Sequence, residues 1–323
     1  LQVVVSLIKK IPDKKMFDSS YPYKSSMSNT MIKSFNKLSK KIKKKFNPKL
    51  LLEIGSNDGA LIKNFDRNKV ICVEPCSNLA KITRKSGYIT YDNYWNSHLV
   101  RKIKKRFKNV DLIYSANTLT HINDLNDVFK SISFILSENG ILIIEDPSFL
   151  ECIKKVSYDQ FYNEHIYIFS ALSLKKLINN FGFELFDIEQ LETHGGSLRY
   201  YIKRKNNHNI TIKKTVSTQL MQEINFGLGS FSTYKKFGES TKKSKNNLIK
   251  IFKKLKKEKK KIIGYGATAK ASTVLNYCDI GNDMIDYFVD TTPDKSNKFM
   301  PGKNIKIKKY NKKLLNDVDY IFL

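Results

Sequence analysis

Cysteine is scarce in this sequence, and its spacing argues against two kinds of site. The 323 residues include four cysteines, Cys72, Cys76, Cys152 and Cys278, with no C-x-x-C pair among them. A zinc knuckle or a disulfide framework needs such pairs or a denser set of cysteines, so neither is expected. Cys72 lies inside an apolar strand pattern, which indicates a small buried hydrophobic residue. No resident metal is predicted for this part of the chain.

Long apolar runs are also missing. No stretch approaches the roughly 20 residues of a membrane-spanning helix, and no charged and apolar leader opens the chain. At 323 residues, 41% of them hydrophobic, the chain is long enough for two domains with an ample core. We therefore expect a cytoplasmic protein without a membrane partner.

Acidic residues are outnumbered by basic ones, 30 against 58, which gives a net charge of +28. Such a charge is typical of nucleic-acid-binding proteins. The lysines are, however, spread through nearly every segment, and the dense runs at residues 40–45 and 253–261 are typical of solvated helix faces. Nucleic acid is therefore not the expected partner, although the excess charge would attract a phosphorylated substrate.

Glycine is infrequent, with 14 residues, and two of them fall in the stretch LLLEIGSNDGALI at residues 50–62. The apolar start predicts a buried strand. Gly55 and Gly59 allow backbone angles and close approaches that a side chain would forbid. Asn57 and Asp58 favour a turn, and a helix beginning near Gly59 would leave free N–H groups aimed at a ligand.

The spacing of this motif favours one cofactor. A dinucleotide fingerprint needs G-x-G-x-x-G/A, but Asn57 replaces the middle glycine and Glu53 precedes the first one. The pattern E-x-G-x-x-x-G resembles the first motif of S-adenosylmethionine-dependent methyltransferases. Glu74 ends the next strand about twenty residues downstream, where an acid can bind ribose hydroxyls. The alternative is an ordinary α/β turn with a chance acid. The predicted cofactor-binding residues are Glu53, Gly55, Ser56, Asn57, Asp58, Gly59, Glu74, Pro75, Ala116 and Asn117.

The order of strand and helix patterns predicts an α/β fold in four segments. Residues 1–48 form an N-terminal arm and helix, and residues 49–205 form a doubly wound α/β domain, which resembles the Rossmann-like methyltransferase domain of class I. That domain includes a helix opened by Ser170 and closes with an antiparallel hairpin turning at Gly195 and Gly196. Residues 206–260 are a helical connector, and residues 261–323 a second, smaller Rossmann-like domain.

The second domain opens with a glycine motif of its own. Gly264, Gly266 and Ala269 satisfy G-x-G-x-x-A, and Asp290 ends the next strand. Taken alone, this is a better dinucleotide fingerprint than the first motif and leaves an NAD-dependent oxidoreductase as an alternative. No Tyr-x-x-x-Lys or other hydride-transfer signature accompanies it.

The segment FYNEHIYIF carries the side chains most suited to proton transfer. Histidine has an unperturbed pKa near neutrality, so His165 can take up and return a proton, and Tyr162 can donate a hydrogen bond to an oxygen that gains charge. A core histidine held by Glu164 is the alternative. In a regular strand Glu164 and His165 would face opposite sides, so a shared role requires a bend or a turn.

Further polar and aromatic residues lie at turns and at the ends of predicted strands, where ligands gather. A satisfied polar residue, an ion pair within the hairpin or surface aromatics are the structural alternatives for them. The predicted substrate-binding residues are Tyr21, Tyr23, His121, His194, Gly195, Gly196, Arg199, Gly264, Gly266 and Lys270.

Together these segments resemble the nucleotide-sugar C-methyltransferases. The resemblance rests on YPYKSSMS, LLEIGSNDGALI, FYNEHIYIFS, THGGSLRYY, IIGYGATAKASTVLNY and DTTPDKSNKFMPGKNI, in this order. It implies methyl transfer from S-adenosylmethionine to a ring carbon of a nucleotide-linked 4-keto-6-deoxy sugar. His165 would then be the catalytic base, with Tyr162 and Glu164 as its neighbours at the sugar, and the C-terminal domain would hold the substrate's nucleotide without NAD.

Such proteins begin with a cysteine-rich zinc module and continue past the last residue of this sequence, so we expect both parts to be missing and zinc to belong only to the former. Two alternatives to carbon methylation stay open. One is an O- or N-methyltransferase acting on a glycan or small acceptor, and the other is a non-catalytic nucleotide-binding scaffold.

Overall fold

A computed structural model describes the backbone of Val3–Val4 and all of residues 11–323. The chain divides into two compact units. The first consists of the described residues up to Glu151 together with Asn163–Gly229, and the second of Cys152–Tyr162 together with Ser230–Leu323.

The first unit is built on a seven-stranded sheet. The strands of this sheet are β2 (Leu51–Ile54), β3 (Val70–Val73), β4 (Ile89–Tyr91), β5 (Val110–Ala116), β6 (Leu136–Pro147), β8 (Phe183–Leu191) and β9 (Ser197–Arg204). Two short strands, β1 (Val3–Val4) and β7 (Tyr167–Ile168), form a separate pair. The order across the sheet is β4-β3-β2-β5-β6-β9-β8, and β1 pairs with β7 outside it. The neighbouring strands β4, β3, β2, β5 and β6 run parallel to one another, whereas β9 runs antiparallel to β6 and β8.

Helices cover both faces of this sheet because successive side chains of a strand point to opposite faces, and in the central strands the side chains on both faces are mostly apolar. The helices up to Phe226 are α1 (Asp13–Met16), α2 (Asn29–Lys45), α3 (Ser77–Lys85), α4 (Ser97–Phe107), α5 (Leu125–Ile135), α6 (Phe149–Lys154), α7 (Ala171–Asn179) and α8 (Lys214–Phe226). Leu51 packs in one core with Phe35 and Leu38 of α2. Its neighbour Leu52 packs in the opposite core, which α4 and α5 help to build.

The predicted closing elements of the sheet are present. Ser170 caps α7, because its hydroxyl accepts from Ser173 N and the Ser173 hydroxyl accepts from Ser170 N, a capping box. β8 and β9 form the predicted antiparallel hairpin through Gly195 and Gly196, both with positive φ. The predicted Rossmann-like fold with a terminal hairpin is therefore confirmed.

The predicted helix after the first glycine motif is absent. Residues 55–61 form turns, and only a short 3-10 helix, Ile62–Asn64, follows them. Gly55 keeps a φ of +74°, and a Cβ there would lie 2.1 Å from Thr118 Oγ1. The residues after Gly55 thus close a turn on themselves instead of starting an α-helix.

The second unit contains the predicted smaller α/β sheet. Its elements are α9 (Phe231–Lys257), β10 (Ile262–Tyr265), α10 (Ala269–Cys278), β11 (Phe288–Asp290), β12 (Ile307–Lys309) and β13 (Tyr320–Phe322). The four strands are all parallel, in the order β12-β11-β10-β13. Their apolar side chains pack with α10 and the end of α9, as in Phe252, Leu275 and Phe288.

The structural division differs from the predicted segments at two places. The predicted connector holds both long helices, but α8 packs on β8 in the first unit, whereas α9 lies in the second. The segment Cys152–Tyr162 belongs to the second unit although it lies inside the predicted methyltransferase domain. Tyr158 is anchored there by ring contact with Tyr277.

Two further observations concern the scarce residue types and the apolar runs. All four cysteines are buried and unbridged. Among the helices in the described part of the chain, none is both long enough and apolar enough to cross a membrane.

Candidate active site

The backbone N–H groups of the first glycine loop are bonded within the protein. Those of Gly55 and Ser56 donate to the carbonyl of Val73 at 2.8 and 3.2 Å, and that of Gly59 donates to Ser56 O at 3.0 Å. The N–H of Asn57 donates to Glu74 Oε2 at 2.7 Å. The expectation of free N–H groups at a helix start is therefore wrong for these residues, because no helix begins there.

Buried carboxyl groups are the feature of this loop that suits a positively charged ligand. Glu53 is 4% exposed, and its Oε2 has no hydrogen-bond partner among the described residues. Burial, and then the charges of Glu74 and Asp58, raise the pKa of Glu53 well above its ordinary value. Burial also raises the pKa of Glu74, against the effect of the N–H groups of Cys76 and Asn57 that it accepts. A cation placed here would restore the charged form of both acids.

We expect Glu53→Gln to weaken the binding of S-adenosylmethionine, a cation at its sulfur, about tenfold or more. Because the pKa of Glu53 is raised, the affinity of the unsubstituted protein should increase as pH rises and Glu53 ionises. The affinity of the variant should lose that part of the pH dependence. Titration calorimetry across the pH range measures both, and Glu138→Gln at an exposed position is the matched control.

The same substitution is expected to stabilise the protein without ligand. The pKa of Glu53 in the fold lies above its unfolded value, so the stability of the protein without ligand falls as pH rises above the unfolded pKa of about 4.3. Glutamine removes this cost and should raise the midpoint of thermal unfolding by about 2–4 °C. An affinity loss accompanied by a lowered midpoint would instead indicate local misfolding.

The remaining predicted cofactor residues lie around the same strand ends. Ser56 is buried, and Pro75 is half-buried directly after Glu74. Ala116 ends β5, and Asn117 follows with a φ of +49° while its N–H donates to the carbonyl of Glu145 at 2.8 Å. The structure thus brings these residues to one edge of the sheet, and their binding role stays a prediction.

Two histidines are stacked near this edge. The ring centroids of His121 and His165 lie 5.3 Å apart with an interplanar angle of 25°, and the ring of Phe17 also stacks with His121, at 5.5 Å. His165 is 4% exposed. Burial, and then the charge of His165, lower the pKa of His121 well below its ordinary value. His121 is therefore a neutral imidazole at neutral pH, with its buried Nε2 lacking a hydrogen-bond partner among the described residues.

Glu164 contacts Tyr21, which lies in the N-terminal segment of the first unit. Its Oε2 accepts from the hydroxyl of Tyr21 at 3.2 Å, and burial raises the pKa of Glu164 against the effect of this hydrogen bond. The turn required by the adjacent positions of Glu164 and His165 is present at residues 163–164, and Ile166 N donates to Glu164 O at 3.2 Å. Tyr23 is 43% exposed in the same N-terminal segment. Tyr162 is half-buried and belongs to the second unit.

Arg199 is enclosed in the sheet. It is 2% exposed, its Nε and Nη2 donate to Glu145 Oε2 at 2.9 and 2.7 Å, and its Nη1 donates to Glu189 Oε2 at 3.1 Å. We therefore assign Arg199 to an ion pair inside the sheet. This was the structural alternative to its predicted role in substrate binding. Gly195 is exposed, while His194, with a φ of +53°, is half-buried in the hairpin turn.

The second glycine motif is also closed by internal hydrogen bonds. A Cβ on Gly264 would lie 2.3 Å from the ring of Phe288, so close strand packing explains this glycine, while Gly266 has a φ of +86°. The carboxylate of Asp290 accepts the N–H groups of Ala267 and Thr292, each at 2.7 Å.

Two lysines of the second unit lie close to carboxylates. Lys295 pairs with the same carboxylate of Asp290 at 3.2 Å. Lys270, at the start of α10, lies 3.9 Å from Asp159. Burial lowers the pKa of Lys270, and the charge of Asp159 opposes this.

Some residues near the site carried no signal in the sequence. Asn78 donates to the carbonyl of Tyr21 at 2.9 Å, and Thr120 donates to the fully buried carboxyl of Asp146 at 3.3 Å. Asp146 follows Glu145 at the end of the strand pattern GILIIED, so its place at a strand end was the one available hint. Within the described ranges, no group of three or more His, Cys, Asp and Glu side chains is arranged to hold a metal ion.

Comparison with known proteins agrees with this architecture. Residues 23–188, just over half of the chain, match the family described as methyltransferase domain, and residues 192–323 match the family described as C-methyltransferase C-terminal domain. The chain therefore belongs to the methyltransferase family, and its C-terminal part matches the C-terminal domain that the second family model describes.

One curated relative supports the same family. The chain is 28% identical over 261 residues to the C-methyltransferase NovU of Streptomyces niveus, a match that covers 80% of this chain and 62% of that protein. The chain thus spans about 62% of the length of the relative it matches.

Solved structures show only weak likeness. The PH0226 protein of Pyrococcus horikoshii OT3 is 15% identical with a TM-score of 0.44, covering 57% of this chain and 95% of that chain. An S-adenosylmethionine-dependent methyltransferase of Clostridium acetobutylicum ATCC 824 is 14% identical with a TM-score of 0.41, covering 54% and 92%.

Proposed function

We propose that the protein is an S-adenosylmethionine-dependent C-methyltransferase whose acceptor is a nucleotide-linked 4-keto-6-deoxy sugar. The observation that carries the proposal is the stacked pair of His121 and His165 in the part of the chain that matches the methyltransferase domain family. The family match of residues 192–323 supports transfer to carbon. The sugar class rests on the resemblance of the sequence motifs.

His165 is the proposed general base. A hydrogen on the carbon next to a ketone is acidic enough for a positioned imidazole to remove it. The C–H bond breaks, its proton moves to an imidazole nitrogen of His165, and its electron pair gives the enolate. The enolate carbon would then bond to the methyl group that S-adenosylmethionine supplies, and the electron pair of the broken carbon–sulfur bond would stay on the sulfur. The neutral imidazole of His121 places no second positive charge against His165 when this proton arrives.

The ketone oxygen gains negative charge in the same step and needs donors. We propose Tyr162 for this role, as the motif FYNEH predicts. Glu164 holds Tyr21 by a hydrogen bond, and these two residues are proposed as contacts of the sugar.

The acids at the ends of β2 and β3 are proposed to hold the methyl donor. S-adenosylmethionine supplies a methyl group on a positively charged sulfur. Glu53, whose buried Oε2 has no partner among the described residues, fits a cation, and Glu74 is proposed to bind the ribose. The proximity and alignment of donor and acceptor carbon then govern the rate.

The second unit is proposed to bind the substrate's nucleotide through the turn at Gly266 and through Lys270. The carboxylate of Asp290, which would bind a ribose in an NAD-dependent enzyme, is bonded to Ala267, Thr292 and Lys295. This internal bonding supports nucleotide binding without NAD.

The test is incubation of the full-length protein with S-adenosylmethionine and a 4-keto-6-deoxy nucleotide sugar. We expect a product heavier by one methyl group that survives treatments which cleave methyl ethers. Without methyl donor, solvent deuterium should enter the position next to the ketone, whereas an O- or N-methyltransferase would show no such exchange. An intact fold without measurable affinity for S-adenosylmethionine would favour a scaffold instead.

A further inference from the structure

The first glycine loop is tied to the segment at residues 17–28, which we call the arm. Asn57 Oδ1 accepts from the backbone N–H of Ser25 at 2.9 Å, and Asn57 Nδ2 donates to the carbonyl of Tyr23 at 3.2 Å. Both ends of this amide thus bind the backbone of the arm. Its own N–H donates to Glu74, so Asn57 joins the arm to an acid at the cofactor edge.

Asp58 holds the next residue of the arm. Its Oδ2 accepts the hydroxyl of Ser26, and the N–H of Ser26 lies 3.3 and 3.4 Å from its two carboxylate oxygens. Hydrogen bonds to a carboxylate are stronger than those between neutral groups. Asn57 and Asp58, which were both predicted to bind the cofactor, therefore use their side chains to bind the arm.

The other end of the arm reaches the stacked histidines. The carbonyl of Phe17 accepts a hydrogen bond from the hydroxyl of Tyr94 at 2.9 Å, and the ring of Phe17 stacks with His121. The carbonyl of Tyr21 accepts from Asn78, and its hydroxyl donates to Glu164. The arm thus carries two aromatic side chains to the proposed acceptor residues of the first unit.

We propose that Asn57 and Asp58 are positioning residues that seat the arm, so that the place of Tyr21 depends on the conformation of the loop that would hold the methyl donor. This inference rests on the proposed function for the identity of donor and acceptor. It assigns the two side chains a role through Tyr21 and not through contact with the donor.

Two substitutions within the arm test this without altering the loop. Ser26→Ala removes the hydroxyl that bonds to Asp58. Ser25→Pro removes the N–H that bonds to Asn57, and proline suits this position because Ser25 starts a 3-10 helix and Lys24, with φ −123° and ψ 122°, has the backbone angles preferred before proline. Ser20→Ala is the matched control, since the hydroxyl of Ser20 bonds to Asp18 within the arm.

Amide hydrogen exchange of the peptide covering residues 17–28 is the first readout. We expect exchange about five- to tenfold faster in the Ser25→Pro and Ser26→Ala variants than in Ser20→Ala, because each loses an anchor of the arm. In the unsubstituted protein S-adenosylmethionine should slow this exchange, and it should do so less in the two variants. The dissociation constant for S-adenosylmethionine should stay within about twofold, while KM for the keto sugar rises about fivefold.

Unchanged exchange in both variants would overturn the inference. So would a loss of S-adenosylmethionine affinity as large as the rise in KM, because the loop side chains would then act on the donor itself. Exchange is measured without methyl transfer. A protein that binds S-adenosylmethionine and methylates no keto sugar would therefore reject the proposed acceptor and leave the result on the arm intact.

Discussion

Replacement of His165 by asparagine is expected to lower kcat for carbon methylation about 10²- to 10⁴-fold, the range attributed to a positioned general base. Asparagine keeps a planar polar side chain in the stack with His121 but cannot take up the proton. Deuterium exchange into the acceptor without methyl donor should fall by a similar factor, because it depends on the same proton removal. Both rates are measured on the keto sugar with the full-length protein.

The control for this prediction is His98→Asn, an exposed histidine of α4 in the same unit. It should leave both rates unchanged. The affinity of His165→Asn for S-adenosylmethionine should match that of the unsubstituted protein, which separates a lost base from a lost fold. If His165→Asn retained the full methylation rate, the assignment of His165 as base would be wrong, and the core-histidine interpretation would stand.

The strands of the first unit could be predicted from the sequence because their apolar runs are local signals. The buried strand Val70–Val73 is a continuous hydrophobic segment, and Glu53 alone interrupts the apolar residues of Leu51–Ile54. The glycine pair at the hairpin and the serine cap of α7 are equally local. Such signals need no knowledge of which strands are neighbours.

The contacts of the first glycine loop could not be predicted from local sequence patterns. Asn57 and Asp58 bind residues more than thirty positions away in the arm, and no short-range pattern records that pairing. The absent helix has a similar cause. The turn at Gly55 is closed by N–H groups bonded to Val73 of the neighbouring strand, so a tertiary contact overrides the local preference for a helix start.

The position of Arg199 could not be predicted because it depends on strand register. Arg199 stands directly opposite Glu145 of β6 and Glu189 of β8, so three charged residues form one row across three strands. From the sequence, Arg199 is only a basic residue that follows two glycines. One position of slip in either pairing would turn it to the other face of the sheet.

This row underlies a large expected effect on stability. Arg199→Met should lower the free energy of unfolding by about 3–5 kcal/mol, because Glu145, which is fully buried, would lose its cationic partner. Urea unfolding at neutral pH measures this. Lys41→Met removes the partly exposed partner of Glu189 and should cost less than about 1 kcal/mol.

A double substitution and a pH series test the physical reason. Arg199→Met combined with Glu145→Met should recover most of the loss, since an apolar pair of similar volume leaves no buried charge behind. Burial would raise the pKa of Glu189, but Lys41, Arg199 and Tyr201 together lower it to about 2. The stability that Glu189 adds is therefore present above its unfolded pKa of about 4.3 and lost as pH falls toward 2. The loss of unfolding free energy caused by Arg199→Met should therefore shrink as pH falls over that window. If this loss did not depend on pH and the double variant recovered none of it, the packing of the arginine stem and not its charge would stabilise the sheet.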